Sequence, residues 1–211
     1  MKKKLFFLSA IGAFVIILTH CVPSLHPFFT EDDIIEGKKL SGYWASEDES
    51  TWLYIAPGRE GHLLLDREKV NILSDDTTKH SSLFLVTLFK LQDQEFIDLY
   101  PSDKNLNATH FYKSQTVNAH SLSKLEHRND SMILYFQNPD YIEQLLEERR
   151  IRIKHERLKE SFVLTASTEE LQKFVLKYMD DKQAFVESDV LLRKKKVPQD
   201  IRKYFPRKRV S

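Results

Sequence analysis

The 211-residue chain is long enough for one domain of ordinary size, and its single Cys excludes an internal disulfide, so the fold must rest on its core and hydrogen bonds. Only five Gly occur, none in a phosphate-cradling loop or a Gly-x-Ser-x-Gly turn, which excludes the commonest nucleotide and serine-hydrolase motifs. The formal charge of +1 hides a division between an acidic body at residues 21–193 and a basic end at residues 194–211, whose eight Lys and Arg face Asp200 alone.

The chain opens with Lys2-Lys3-Lys4, an apolar run over residues 5–19 and then Cys21. Cations, a greasy stretch of about 15 residues and a cleavage region, in that order, read as a secretory leader. The run is short for a bilayer span, which takes roughly 20 apolar residues. Leu18-Thr19-His20-Cys21 resembles the lipobox of bacterial lipoprotein signal peptides, with His20 where that family places a small residue. The resemblance implies removal of residues 1–20, diacylglycerol on the Cys21 sulfur and acylation, as with palmitate, of the new amino group. Such chains hold a protein on a membrane at about 0.8 kcal/mol per buried methylene. A secreted protein cut elsewhere and an uncleaved anchor helix reaching Val22 are the alternatives.

Residues 21–39 lack a clear period, contain Pro23 and Pro27, and read as a tether whose Phe28-Phe29 pair can tuck against the domain. The folded part spans residues 40–193. Gly42-Tyr43-Trp44, Thr51-Trp52-Leu53-Tyr54-Ile55, a turn at residues 57–61 and His62-Leu63-Leu64-Leu65 carry hairpin signals. Residues 82–91, 95–100, 119–127 and 132–137 are further strands. Asn129-Asp130 makes a turn, since both side chains bond nearby backbone. Branched and aromatic runs between polar turns predict an α+β fold dominated by an antiparallel meander, curled into a barrel to avoid exposed edges.

Asn138 can cap a helix, Pro139 suits its first position, and Ile142, Leu145 and Leu146 supply an apolar side up to about Arg150. Ile151-Arg152-Ile153 then alternates as a strand for Phe162-Val163-Leu164. Ser167 with Glu170 forms a capping box, and Leu171, Phe174, Val175 and Tyr178 recur at helical spacing. Residues 184–193 read as one closing strand. The basic tail at 194–211 is either a solvated, disordered end or a second contact with anionic lipid. Behind a secretory leader it argues against nucleic acid as a partner.

Gly42-x-Trp44 at the start of a meander resembles the motif that opens the first strand of lipocalins. That resemblance implies that Trp44 plugs one end of a barrel and that Arg193 packs over its ring, a cation–π contact worth about 0.5–2 kcal/mol. Two helices and a hairpin precede Arg193, a departure from the lipocalin order. The run Leu-Thr-Ala-Ser-Thr-Glu-Glu-Leu at residues 164–171 is similar to helix starts in small bacterial lipoproteins, a resemblance that carries no activity.

Chemistry-bearing residues are dispersed. His62, His80, His110, His120, His127 and His155 lack metal-ligand spacing, and His120 and His127, seven apart on one strand, should point to opposite faces. No metal, cofactor or catalytic set is assigned. The acidic pair Glu187 and Asp189 could flank a substrate but reads more simply as the solvent face of a strand. Trp52, Tyr54, Phe84, Phe89, Phe96 and Phe136 are the aromatic residues expected to line either a ligand cavity or a filled core. The sequence thus describes an exported, lipid-anchored envelope protein. It acts without catalysis, by carrying a small apolar ligand or by assembling with an envelope protein; a hydrolase with a dispersed site is the alternative.

Overall fold

The computed structural model describes residues 22–49, 51–56, 68–73, 81–101, 116–159 and 161–197. The leader, Cys21, the expected strand at 62–65 and residues 198–211 lie outside them. In chain order come β1 (Pro23–Ser24), β2 (Gly42–Ala45), β3 (Trp52–Ala56), β4 (Glu68–Leu73), β5 (Ser81–Leu91), β6 (Gln94–Pro101), β7 (His120–Arg128) and β8 (Ser131–Gln137). They are followed by α1 (Pro139–Glu147), β9 (His155–Arg157), β10 (Phe162–Leu164), α2 (Thr168–Tyr178), β11 (Phe185–Glu187) and β12 (Leu191–Lys194). The fold is α+β, with the strands in one large sheet.

Strands β2 to β8 pair antiparallel, each with the next in sequence. β12 lies between β2 and β8, antiparallel to both, and β1 is antiparallel to β7 but parallel to β10. The Asn129-Asp130 turn joins β7 to β8 with Asn129 at φ 49°, a left-handed conformation that Asn tolerates better than most residues.

The pleat sorts side chains between two cores. Val86, Leu88, Ile97, Leu99, Leu125 and Leu134 join Trp44 on one face. Phe89, Leu91, Phe96 and Leu122 lie on the other, beneath the helices. Asn138 caps α1 by accepting from the Tyr141 N–H at 3.4 Å, and Tyr141, Ile142 and Leu145 are buried. In α2 the Ser167–Glu170 capping box forms in both directions, and Leu171, Phe174, Val175 and Tyr178 face inward. Each such apolar side chain contributes about 1.5–3 kcal/mol by leaving water.

Three expectations need correction. The segment read as a tether belongs to the domain: Val22 and Phe28 are buried in the helix-side core, and the Ile35 N–H donates to Leu88 O at 3.1 Å. Short side chains and prolines hid a sheet contact of only two residues. The partner of β10 is His155–Arg157 rather than residues 151–153, because Ile151 is drawn into the core beneath α1. The closing strand is broken at Ser188, whose hydroxyl accepts the Leu134 N–H that a strand neighbour would otherwise take. β11 pairs with β8 alone, and β12 moves across to β2.

Candidate functional site

Two places bring charged and aromatic groups together. At the first, Trp44 is wholly buried and donates its indole N–H to Leu40 O at 2.7 Å. The Arg193 guanidinium carbon lies 4.1 Å from the Trp44 ring centroid, so the two residues paired by the lipocalin resemblance do meet. Arg193 also donates to Ser41 O and Lys39 O, each at 2.6 Å, and its Nε lies 3.3 Å from an Asp130 carboxylate oxygen. Gly42 is required here, because its φ is +141° and a Cβ would sit 2.9 Å from an Arg193 nitrogen. His127 meets Trp44 edge to face at 5.6 Å. Burial, and then the nearby charges of Lys39 and Arg193, hold its imidazole below the usual histidine range.

The second place is a cleft of about 570 Å³ on the helix side of the sheet. The arm from Pro27 to Ile34 forms one wall. Leu85 and Thr87 of β5, Asp98 and Tyr100 of β6 and His120 of β7 form the floor, and Thr168 and Glu169 of α2 close it. Asp98 is 1% exposed within an otherwise apolar run of β6. One carboxylate oxygen lies 2.7 Å from His120 Nδ1, and the other accepts the Phe28 N–H at 3.2 Å. The Tyr100 ring centroid lies 4.5 Å from that of the imidazole, the two planes tilted by 37°. Nδ1 is engaged with Asp98, so Nε2 is the ring nitrogen turned to other partners.

The arm is pinned over this floor. Thr168 Oγ1 donates to Pro27 O at 2.9 Å, and Gln172 donates to Phe28 O at 3.2 Å and to Asp33 at 2.7 Å. Thr87 is 4% exposed and its side chain lies on the floor of the cleft. A buried hydroxyl and an imidazole nitrogen beside Phe29, Ile34 and Leu85 suit a small, largely apolar ligand with a polar group.

The six aromatic candidates do not converge. Phe89 and Phe96 stack at 5.6 Å in the helix-side core, Phe84 and Phe136 pack against the Trp44 core, and Trp52 and Tyr54 belong to a third cluster with Tyr43. Alternation along strands separates Trp52 and Tyr54 from Leu53 and Ile55. Glu187 lies opposite Tyr135, while Asp189 accepts from Thr51 at 3.1 Å, so that pair also separates. His120 and His127 make contacts on opposite faces of β7. Asp98 and His120 were missed as a pair, although an acid inside Phe96-Ile97-Asp98-Leu99 demands a buried partner and was a signal for one.

Among the described residues no group of three His, Cys, Asp or Glu side chains could hold a metal, and no helix is long and apolar enough to cross a membrane. No protein-family model, curated protein or solved structure matches this chain.

Proposed function

We propose that the protein is a lipid-anchored binding module of the bacterial envelope, acting without catalysis, whose ligand is a small, mostly apolar molecule with a polar group. The observation that carries this reading is the cleft, in which Asp98 fixes His120 within a largely apolar wall. The three lysines, the apolar run and Cys21 support the anchor.

The reading includes a lipocalin-like barrel stoppered at Trp44. Supporting it is the run of neighbours from β2 through β8, together with β12 between β8 and β2.

Protein extracted from membranes is expected to carry acyl mass that a Cys21→Ala variant lacks. Solvent extraction should release a small molecule that mass spectrometry identifies. Thr87→Val and His120→Ala should each lower its occupancy at least several-fold, with Glu187→Gln on β11 as the control. Equal occupancy in all three variants would remove the cleft from the proposal.

The Asp98–His120 pair also favours a second reading, a hydrolase in which His120 Nε2 takes a proton from water attacking an ester. Ester turnover that disappears in His120→Ala would replace the binding reading with this one.

A further inference from the structure

Val22 is 1% exposed and sits in the same core as Phe162 and Leu164. Pro23 and Ser24 are held in register against Ser121 and His120 of β7, and Ser24 also faces Leu164 of β10. Consecutive Cα atoms are about 3.8 Å apart, so one peptide unit is all that separates the buried Val22 from an anchor at Cys21. β1 runs parallel to β10, so its beginning points toward the end of the sheet where β10 begins. That end carries the β9–β10 hairpin tip, closed by the Leu158 N–H donating to Ser161 O at 2.9 Å.

The tip can meet a bilayer. Leu158 is 55% exposed and is flanked by Arg157 and Lys159, both exposed, with Glu160 next in sequence. Arg157 is engaged by Glu143 and Glu147 of α1, so Lys159 is the cation placed to reach headgroup phosphates. An apolar side chain beside a long cationic one suits the boundary between acyl chains and headgroups, where the lysine stem lies in the apolar layer and its ammonium in the polar one. A lone exposed Leu is ordinary on a protein surface. Leu158 is set apart by standing at the end of the sheet to which an anchor at Cys21 would be bound. From the tip the chain runs along β10 to Thr168, so the cleft lies at the end of β10 away from the hairpin.

The geometry points to a fixed seat on the membrane: the acylated Cys21 draws the domain down without a tether, the Leu158–Lys159 tip enters the bilayer surface, and the cleft faces away from it. This rests on the proposed acylation of Cys21, and the test separates the two. The full-length chain, extracted from bacterial membranes, would carry Leu158→Cys or Val117→Cys. Val117 is 79% exposed and precedes the β7 residue that faces Ser24, so it lies toward the cleft end.

Thioether formation blocks the Cys21 sulfur, so the introduced thiol alone takes an environment-sensitive fluorophore. In phosphatidylethanolamine–phosphatidylglycerol vesicles holding nitroxide-labelled lipid, the label at 158 is expected to be quenched several-fold more than the label at 117. A Gly/Ser spacer between Cys21 and Val22 should abolish that difference. Equal quenching at both positions in protein of acylated mass would overturn the seat and leave the anchor standing. Protein lacking acyl mass would overturn the anchor and the seat together.

Discussion

The Trp44 end and the Asp98 cleft use similar materials to opposite ends. Each sets a buried ring beside a charged or titratable partner, and each draws on segments far apart in sequence. At Trp44 the indole N–H and all three guanidinium nitrogens of Arg193 have partners within the protein, while the buried Nε2 of His127 beside them has none among the described residues. In the cleft both oxygens of the Asp98 carboxylate are engaged, but the Thr87 hydroxyl and the His120 ring border open volume. Polar groups closed in by packing stabilise a fold, whereas polar groups beside open volume are within reach of a ligand. Access to open volume, more than difference in residue type, separates structure from candidate function here.

The sharpest way to break that comparison is Trp44→Ala. Removing the largest fully buried side chain and leaving Arg193 over a void should cost about 4 kcal/mol, read as a lowered urea midpoint. A loss under about 1 kcal/mol would mean that the end is not a structural keystone.

Asp98→Ala should come next, at about 3 kcal/mol, because it strands the Phe28 N–H and the imidazole N–H in a buried place. His120→Ala removes only one partner and should reduce ligand occupancy more than stability. If the two variants unfold alike and bind alike, the cleft is as structural as the Trp44 end.

Gly42→Ala should cost about 2 kcal/mol, from the left-handed backbone and the clash with Arg193. Gly42→Ala with Arg193→Ala would recover the part due to the clash and keep the part due to φ.

The smallest expected effect is on pH dependence. His127 is held below the ordinary histidine value of 6.5 in the fold, so the unfolded chain takes up the proton first. Stability from this source is fully present above that value and is lost as pH falls through it toward the lowered native value. His127→Phe should flatten that part of a denaturation profile, while the cleft variants should leave it in place.

Much of the architecture was legible because its signals are local. Ser167 with Glu170, Asn138 with Pro139, and the Asn129-Asp130 turn each act within a few residues, and each appears at its expected position. The alternation in β5 and β6 likewise follows from the pleat. The arm was misread because its two-residue pairing to β7 and β10 has no local signature. The break at Ser188 was hidden for a related reason: it depends on which edge of β8 is free, which no residue between 184 and 193 encodes.

Taken alone, the amino-acid order determined the element types, the split of acidic body and basic tail, and the pairing of Trp44 with Arg193 through a resemblance. Only tertiary structure decided that six aromatic side chains fall into three clusters and that Asp98 meets His120. The physical reason is range. Propensity, capping and pleat act over about a turn or a hairpin, while the partner of a buried carboxylate is chosen by register between strands and by the arm folded over them.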